Sequence, residues 1–389
     1  MADFVSEGKL TCEKMIFGGL GLCRTAAGVV FVSGLLPGET ALCRYLRTQG
    51  GIPVYESVVP VEHPSDHRVA PFCPYFGVCG GCDWQHIHPA AQARFKKDIF
   101  EDLLRRVGGC NTFPEIEVIT GPDRHYRMRC QLNLSPQGEG MGFYQKQSRQ
   151  VVQITSCPLL TPSLSQLLEH QGAILQRITN PPRRVMCLDT GRAVLSSPPL
   201  ANWSSASGSL FTDAGEVELR GTDFFQGNRY LYSALAQWKA DSLGGNSLLD
   251  LFGGTGLFAL HHGHRYDKVC LVESSKTMAR RAQENMYRAG IHHGQACGMS
   301  AERFFSTAQR GEYSTVIVDP PRPGLSRTVR QGLIRLAPEH ILYVSCNPST
   351  QVRDVRFLRS RGYELTACAF FDMYPHTAHL ETAVVLKRG

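Results

Sequence analysis

A cysteine and a glutamate near the end of the chain have the chemistry of a nucleophile and a base. Cys346 lies in the turn Ser345-Cys-Asn-Pro348, directly after the apolar run 341–345. A thiolate in such a turn can act as a nucleophile. Glu381 precedes the apolar run 382–386, and a carboxylate beside a thiol can remove a proton in a later step. We therefore expect a reaction in which Cys346 attacks and Glu381 acts as the base.

Methylation at C5 of a pyrimidine is a reaction that needs this pair. C5 of uracil is a poor nucleophile, but attack of the Cys346 thiolate on C6 creates an enolate with carbanion character at C5. That carbon can then take a methyl group from a sulfonium. A base must next remove the C5 proton so that the cysteine is eliminated, and Glu381 is the candidate for this step.

The elements that must hold these residues come from the last part of the chain. From about residue 224, continuous apolar runs alternate with helical stretches, and the runs are 248–252, 269–273, 315–319 and 341–345. This alternation predicts a parallel sheet in an α/β domain. Ligands of such sheets bind outside the carboxyl ends of the strands. Asp319 and Cys346 stand at two of these ends, so we expect both at one edge.

Two features at the other strand ends are typical of a nucleotide site. The glycine-rich turn Phe252-Gly-Gly-Thr-Gly256 lets the backbone approach a ligand, and Glu273 can accept hydrogen bonds from both ribose hydroxyls. Without a full G-x-G-x-x-G, these features alone leave an NAD site or a plain strand–helix turn open. The loop Asp319-Pro-Pro-Arg-Pro-Gly324 resembles that of S-adenosylmethionine-dependent methyltransferases that modify nucleobases, and it favours S-adenosylmethionine over NAD.

Three closely spaced cysteines predict a metal site. They form the run Cys73-Pro-Tyr-Phe-Gly-Val-Cys79-Gly-Gly-Cys82, and Cys157 is a candidate fourth ligand. Four thiolates fit a [4Fe–4S] cluster or a zinc ion. Zinc sites more often show two C-x2–4-C pairs, so the spacing favours iron–sulfur. His376 and His379 make a weaker metal pair, because the sequence offers no third ligand near them, and structural histidines are the alternative.

The composition limits the classes of protein to which this chain can belong. The chain has 389 residues, 42% of them apolar and 19% charged, which predicts two or three folded domains and excludes an intrinsically disordered protein. A net charge of +7 favours a polyanionic partner without indicating a nonspecific DNA-coating protein. The sequence shows neither a membrane-spanning apolar run nor a secretory signal. We therefore expect a cytoplasmic protein whose fourteen cysteines are reduced thiols or metal ligands, with most of the ten isolated ones buried.

Together, these motifs resemble the RNA 5-methyluridine methyltransferases, and specifically their iron–sulfur 23S ribosomal RNA branch. Residues 1–57 resemble a TRAM domain, an OB-like RNA-binding barrel, in the pieces Phe31-Val and Leu36-Pro-Gly-Glu39. Phe224-Phe-Gln-Gly-Asn228 is similar to the family's Phe-x-Gln-x-Asn segment, whose glutamine, here Gln226, binds the cofactor. Leu257 departs from the family, which often has Asn there, and it is not carried over as a binding residue.

The resemblance implies a fold and a set of roles. It implies a TRAM-like barrel over 1–57, a central α+β iron–sulfur domain over 58–223 and a Rossmann-like methyltransferase domain over 224–389. The implied sites are Cys346 and Glu381 for catalysis, Gln226, Phe252, Glu273 and Asp319 for S-adenosyl-L-methionine, and Cys73, Cys79, Cys82 and Cys157 for a [4Fe-4S] cluster. The implied substrate is 23S ribosomal RNA, and we expect a monomer with neither a protein partner nor a membrane.

Three alternatives remain open at this stage. A transfer RNA 5-methyluridine methyltransferase is disfavoured by the N-terminal barrel and the cysteine loop. A non-catalytic iron–sulfur RNA-binding protein is disfavoured because Cys346, Glu381, Asp319 and Gln226 are all present. An NAD-linked redox protein with an electron-transfer cluster would require a preference for NAD and no methyl transfer.

Overall fold

The computed structural model describes residues 7–58, 60–136, 138, 140–178 and 181–389. The chain divides into two compact units. Unit 1 is Met1–Ile99 with Pro375–His379, and unit 2 is Phe100–Tyr374 with Leu380–Gly389. Among the described residues, no helix has both the length and the apolar character needed to cross a membrane. This division does not test the three domains expected from the sequence, which stay a prediction.

Unit 1 contains one six-stranded sheet. Its strands are β1 (Glu7–Thr11), β2 (Lys14–Met15), β3 (Gly21–Thr25), β4 (Gly28–Ser33), β5 (Thr40–Gln49) and β6 (Ile52–Ser57). The order is β1-β5-β6-β4-β3-β2. Neighbouring strands are antiparallel, except that β4 and β6 are parallel. β5 lies between β4 and β6 in sequence but on the far side of β6 in the sheet, so the chain reverses along β5 and returns along β6 in the direction of β4. Alternate residues such as Val30, Val32, Ala41 and Cys43 form the buried core. The N-terminal region is therefore rich in β-strands, as the predicted barrel requires, and its assignment as a TRAM-like domain stays a prediction.

A buried carboxylate ties the sheet of unit 1 to residues 65–68, which follow its last strand. Glu39 is fully buried and accepts hydrogen bonds from the backbone N–H groups of Leu36 at 2.7 Å and Ser65 at 3.0 Å. The Arg68 guanidinium lies 2.5 Å from the same carboxylate. The Leu36-Pro-Gly-Glu39 turn is thus fixed by its own glutamate.

The described chain beyond β6 alternates between helices and further strands. The helices are α1 (Pro89–Arg106), α2 (Pro162–Glu169), α3 (Gln171–Leu175), α4 (Tyr232–Gln237), α5 (Leu257–His262), α6 (Lys276–Arg288), α7 (Ala301–Phe304), α8 (Arg327–Leu336) and α9 (Pro348–Arg359). The strands are β7 (Ile116–Ile119), β8 (Arg129–Leu134), β9 (Met141–Tyr144), β10 (Val151–Gln153), β11 (Arg184–Asp189), β12 (Val194–Ser197), β13 (Ser207–Thr212), β14 (Gly215–Arg220), β15 (Ser247–Leu251), β16 (Lys268–Glu273), β17 (Gly294–Gly298), β18 (Thr315–Val318), β19 (His340–Ser345), β20 (Tyr363–Phe371) and β21 (Glu381–Arg388).

Unit 2 is built on an eight-stranded sheet of order β17-β16-β15-β18-β19-β21-β20-β7. The first five strands of that order are mutually parallel, and β21 is antiparallel to both of its neighbours. The four predicted apolar runs are β15, β16, β18 and β19. Every residue of β15, β18 and β19 is buried, as expected for parallel strands covered on both faces. The predicted α/β architecture is confirmed.

The strand at the β20 edge of this sheet was not predicted from the sequence. β7 lies in the stretch expected to form a separate central domain, yet it pairs in parallel with β20. A β20 edge without this partner would leave unpaired N–H and C=O groups. A five-stranded sheet, β10-β9-β8-β11-β12, and the hairpin β13-β14 complete unit 2.

Two local predictions agree with the structure. The helical spacing of Phe95, Ile99 and Leu103 predicts a helix over 88–109. The structure has α1 there, and the chain leaves it where Gly108 N–H bonds to the Leu103 carbonyl at 3.0 Å and Gly109 adopts φ +63°. Eight of the ten isolated cysteines are buried, whereas Cys297 and Cys346 are partly exposed.

Candidate active site

The candidate nucleophile stands in a hydrogen-bonded turn between β19 and α9. Asn347 N–H donates to the Ser345 hydroxyl at 3.0 Å, which closes the turn around Cys346. The Asn347 side-chain amide and the Thr350 hydroxyl both donate to the Arg322 carbonyl, at 3.0 and 3.1 Å. The turn of Cys346 is therefore bound directly to the Asp-Pro-Pro-Arg loop that follows β18.

Strand register places Glu381 close to this cysteine. In the antiparallel pair β19–β21, the last paired residues are Ser345 and Thr382. Cys346 and Glu381 are the next residues of the two segments, close enough for the Glu381 charge to raise the pKa of the Cys346 thiol. The Thr382 hydroxyl donates to the Ser345 carbonyl at 3.3 Å and to Gln351 Oε1 at 2.8 Å. These buried bonds join β19, β21 and α9, and they fix the spacing of the two candidate catalytic residues.

Gln226 and Asp319 meet at the same edge of the sheet. The Gln226 amide donates to Asp319 Oδ2 at 3.2 Å. Backbone bonds hold the segment that carries Gln226, because Met128 N–H donates to the Gly227 carbonyl at 2.9 Å. Asn228 is fully buried, and its amide donates to the Met373 carbonyl at 3.1 Å. The Phe-x-Gln-x-Asn segment thus uses its asparagine as an anchor and presents its glutamine to Asp319.

The glycine-rich turn folds against the end of β16. Phe252 adopts φ +63°, a conformation that is rare for a residue with a Cβ and that concentrates at functional sites. Its N–H donates to the Val272 carbonyl at 2.9 Å. Glu273 accepts hydrogen bonds from Gly254 N–H at 3.3 Å and Ser275 N–H at 2.7 Å. Leu257, in contrast, is buried in the hydrophobic core, so the residue that departs from the family pattern serves packing.

Asp250 is a buried carboxyl behind this turn that the sequence reasoning did not single out. One of its oxygens, Oδ2, accepts from Ala259 N–H at 3.1 Å, whereas Oδ1 has no hydrogen-bond partner within the described ranges. Burial raises the pKa of Asp250 to about 8, and the charges of Asp319 and Glu273 act in the same direction. The signal available in the sequence was an acidic residue inside the otherwise apolar strand β15.

Burial and mutual repulsion raise the pKa values of the central groups. Burial raises the pKa of Cys346 to about 11; Glu381 and Asp319 add to this, and Arg322 opposes it. Burial also raises the pKa of Asp319 to about 7. The pKa of Glu381 lies well above its ordinary value because of burial and the charge of Asp319. The site therefore resists three simultaneous negative charges, and a bound cation would favour them.

Asp354 joins the loop after β18 to the strand that leads to Cys346. It is fully buried, and its carboxylate accepts from Leu325 N–H at 2.8 Å and from the Tyr343 hydroxyl at 2.9 Å. Arg353 lies 2.8 Å and Arg330 3.5 Å from the same carboxylate. Asp354 was not predicted from the sequence, although an acidic residue between the apolar helix positions Val352 and Val355 indicates a buried ion pair.

The candidate cluster ligands are divided between the units. Cys73, Cys79 and Cys82 lie in a loop of unit 1, whereas Cys157 belongs to unit 2. Gly81 N–H donates to the Cys79 sulfur at 3.4 Å. Within the part of the chain that the structure describes, no group of three or more His, Cys, Asp or Glu side chains is arranged to hold a metal ion. The geometry therefore does not support the predicted cluster.

His376 belongs to the packing of unit 1. Its backbone N–H donates to Gln92 Oε1 at 2.6 Å, and its Nδ1 lies 3.0 Å from Gln92 Nε2. The backbone N–H groups of Asp83 and Trp84 donate to its carbonyl at 3.0 and 2.9 Å. These contacts favour the structural interpretation of this histidine over the metal pair.

Comparison with known proteins identifies the family. A family model described as tRNA (Uracil-5-)-methyltransferase matches residues 217–389. A protein of Alkalilimnicola ehrlichii named 23S rRNA (uracil(1939)-C(5))-methyltransferase RlmD is 30% identical, over 95% of this chain and 94% of its own length. The chain belongs to the RNA uracil-C5 methyltransferases. A protein of Photorhabdus laumondii with the same name is also 30% identical, over 97% of this chain and 96% of its own.

A solved structure shows the methyltransferase fold over almost the whole chain. The tRNA (uracil-54, C5)-methyltransferase of Pyrococcus abyssi, in complex with S-adenosyl-L-homocysteine, superposes with a TM-score of 0.77. It covers 97% of this chain and 100% of its own, at 22% identity. This uracil-C5 methyltransferase therefore has an S-adenosylmethionine-dependent methyltransferase fold with an N-terminal β-rich region. Six of its predicted site residues, Cys346, Glu381, Asp319, Gln226, Phe252 and Glu273, lie at the carboxyl edge of the unit 2 sheet or in the loops beside it.

Proposed function

We propose that this chain transfers a methyl group from S-adenosyl-L-methionine to C5 of uridine in 23S ribosomal RNA. The observation that carries the proposal is the placement of Cys346 close to Glu381, at the sheet edge that also holds the Gln226–Asp319 pair. The full-length relatives named as 23S rRNA methyltransferases support the ribosomal substrate. The family model named for transfer RNA covers the C-terminal part of the chain, so transfer RNA is the alternative substrate.

The residues around the glycine-rich turn fit the methyl donor. Glu273 would take the ribose hydroxyls, the turn from Phe252 would admit the nucleoside, and Gln226 and Asp319 would bind beside it. The carboxyl of Asp250 lies buried behind the turn, where its raised pKa keeps it largely protonated and a bound cation would favour its charged form. When bound, S-adenosylmethionine supplies an electrophilic methyl group and a positive charge. A positive charge in this acidic site would lower the pKa of Cys346 and so favour its thiolate.

Each catalytic residue has one task in the proposed mechanism. The Cys346 thiolate forms a bond to C6 of uracil, and the electron pair moves to C5 and the C4 carbonyl. The nucleophilic C5 then accepts the methyl group as the S–CH3 bond of the sulfonium breaks, and the electron pair of that bond stays on the sulfur, which leaves as a neutral thioether. Glu381 removes the C5 proton, the C6–S bond breaks, and the thiolate of Cys346 leaves. Arg322 favours this thiolate through its positive charge beside the sulfur.

The iron–sulfur cluster is a separate proposal and depends on the sequence alone. Cys73, Cys79, Cys82 and Cys157 supply four thiolates, the ligand set of such clusters. The proposed methyl transfer moves no electrons, so no step passes through a cluster. We propose that the cluster stabilises the central region or positions RNA. Iron and sulfide analysis of anaerobically purified protein tests this, and absence of both would leave the cysteines as plain thiols.

We propose one role for each of the three domains that were predicted from the sequence. Residues 1–57 would bind RNA as a TRAM-like module, residues 58–223 would hold the cluster loop, and residues 224–389 would carry out methyl transfer. A truncated protein that begins at residue 58 should therefore bind ribosomal RNA more weakly than the full chain while it retains S-adenosylmethionine binding.

The decisive experiment is methyl transfer from labelled S-adenosylmethionine to unmodified 23S ribosomal RNA and to transfer RNA in parallel. The product nucleoside is identified by mass spectrometry. 5-Methyluridine in 23S ribosomal RNA alone supports the proposal. 5-Methyluridine in transfer RNA alone keeps the mechanism and overturns the substrate. No product from either RNA, with S-adenosylmethionine shown to bind, overturns the enzymatic proposal.

A further inference from the structure

One segment of unit 2 holds most of the chain's excess positive charge. Residues 320–362 contain eight arginines and no lysine, against the two acidic residues Glu339 and Asp354. Their formal charge is therefore +6, compared with +7 for the whole chain. Asp354 is fully buried and pairs with Arg330 and Arg353, so Glu339 is the one acidic residue of the segment that is left to offset its other six arginines. The segment comprises the loop after β18, helix α8, strand β19, the Cys346 turn and helix α9.

This positive surface begins at the candidate nucleophile. The carbonyl of Arg322 accepts hydrogen bonds from Asn347 at 3.0 Å and Thr350 at 3.1 Å, on either side of the start of α9. Arg353, one turn further along α9, donates to the Pro323 carbonyl at 3.1 Å. Arg356 lies eight residues from the first residue of α9, which is about 12 Å along the helix axis. Arginines are therefore present from the loop beside Cys346 to about 12 Å along α9.

The arginines differ in what they already bind. Arg330 and Arg353 are held against the buried carboxylate of Asp354. Arg327 and Arg356 are exposed, and no carboxylate within the described ranges lies at ion-pair distance from either one. The guanidinium groups of Arg330 and Arg353 therefore stabilise the fold, whereas those of Arg327 and Arg356 are available to a ligand. We call Arg327, Arg353, Arg356 and Arg361 the arginine face.

An aromatic ring lies among these cations. Phe357 is partly exposed, and its ring centroid is 5.1 Å from the Arg330 guanidinium carbon and 5.6 Å from that of Arg361. Aromatic side chains within a positive groove are the stacking platforms of proteins that bind single-stranded nucleic acid. An acidic protein partner would be bound by the charges but would make no particular use of the ring.

We propose that the arginine face binds the single-stranded RNA that flanks the target uridine, with phosphates on Arg327 and Arg356 and a base against Phe357. The planar guanidinium matches phosphate oxygens in a bidentate geometry, which accounts for arginine without lysine. This inference rests on the proposed function, because it names where the RNA substrate of that site continues. It adds a second RNA contact, in unit 2, to the one proposed for residues 1–57.

The test compares two pairs of substitutions in the full-length protein. R327Q/R356Q removes the two available cations of the face. R280Q/R310Q is the matched control, since Arg280 and Arg310 are also exposed but lie on α6 and in the loop after α7. Binding of a fluorescent 23S ribosomal RNA fragment is measured over a range of KCl concentrations, together with kcat and KM for methyl transfer and the affinity for S-adenosylmethionine.

We expect R327Q/R356Q to lower RNA affinity at least tenfold, through KM rather than kcat. The slope of log K against log salt should fall by about 1.4, because each lost single-strand phosphate contact contributes about 0.7. The control pair should leave both quantities close to wild type. F357L, which keeps the charges and loses the ring, should lower affinity about fivefold or more without changing the salt slope.

Equal losses in the two paired variants would show a general charge effect and overturn the assignment of the face. Unchanged RNA binding in R327Q/R356Q, with normal methylation by the wild-type protein, would overturn this inference and leave the proposed function intact. Absence of methylation by the wild-type protein would overturn the proposed function itself. Retained S-adenosylmethionine affinity shows that each variant is folded.

Discussion

The Gln226 amide donates a hydrogen bond to Asp319 at 3.2 Å across 93 residues of sequence. The two residues come from motifs that were recognised independently, one before the parallel strands begin and one after β18. Their contact brings the Phe-x-Gln-x-Asn segment to the same edge of the sheet as the Asp-Pro-Pro loop. The pair also gives Asp319, whose pKa burial raises to about 7, a donor that favours its charged form.

Replacement of Gln226 tests this relationship. In Q226A, Asp319 loses the donor, so its pKa should rise further and its carboxylate should bind a cationic ligand less well. We expect the affinity for S-adenosylmethionine to fall about tenfold by isothermal titration calorimetry, a loss of about 1.4 kcal/mol. The control is Q237A, which removes an exposed amide that bonds to Asp213 at 3.1 Å. Equal affinities in the two variants would remove Gln226 from the cofactor site.

Cys346 is expected to be indispensable for turnover and dispensable for binding. C346A should lower kcat at least about a thousandfold, because no other group can form the bond to C6. RNA affinity should stay within about twofold of wild type, since the thiol makes no charge contact with phosphate. C297A is the matched control, because Cys297 is also partly exposed in unit 2. A C346A protein that still formed 5-methyluridine would contradict the nucleophilic role.

Substitution of Glu381 should stop the reaction after methyl transfer. E381Q cannot accept the C5 proton, so the methylated RNA should stay attached to Cys346 through C6. Denaturing gel electrophoresis with labelled RNA should show a slowly migrating adduct, which the double variant C346A/E381Q lacks. E364Q, on the exposed side of β20, should turn over normally. Full release of product by E381Q would mean that another group removes the proton.

The parallel strands and the residues at their carboxyl ends could be predicted from the sequence alone. Continuous apolar runs are visible without tertiary information, and the edge of a parallel sheet gathers whatever follows each strand. That is why Cys346, Asp319 and Glu273 could be placed at one edge in advance. Glu381 was harder, because its position depends on the antiparallel register of β21 with β19, which the apolar pattern alone does not determine.

Long-range polar contacts could not be predicted from the sequence. Asp354 receives its hydrogen bonds from Leu325, 29 residues earlier, and from Tyr343 on another element. Nothing local specifies such partners. The same holds for β7, whose four residues pair with β20 across most of the chain. The cysteine loop shows a different limit. Its close spacing in sequence indicated a metal site, the described residues show no group of three or more candidate ligands, and the cluster therefore stays a prediction.

Tyr343 should matter for activity because its hydroxyl bonds to Asp354. Y343F removes a 2.9 Å hydrogen bond to a buried carboxylate and should lower the free energy of unfolding by about 1–2 kcal/mol. It should also lower kcat/KM severalfold, because Asp354 holds the loop that carries Arg322. Y363F removes a bond of equal length to the Pro338 carbonyl and should lower stability alone. Chemical denaturation and steady-state kinetics separate the two effects, and an equal loss of activity in both variants would contradict the link.

Asp250 should make the stability of the protein depend on pH. Burial raises its pKa to about 8 in the folded state, whereas an exposed aspartate titrates near about 4. Between these values the folded protein holds a proton that the unfolded chain has lost, so this group's contribution to stability falls as the pH rises from about 4 to 8. The slope is at most about 1.4 kcal/mol per pH unit, and above pH 8 it vanishes.

The variant D250N isolates this contribution, because asparagine can still accept the hydrogen bond from Ala259 N–H and carries no charge. Urea denaturation of the wild type and of D250N at several pH values gives the difference in their free energies of unfolding. We expect this difference to shift in favour of D250N as the pH rises from 4 to 8 and then to level off. The other ionisable groups are common to both proteins, so their effects largely cancel in the difference. A difference that does not vary with pH would show that Asp250 is ionised in the folded protein throughout this range, and that its buried charge is balanced by a group other than Ala259 N–H.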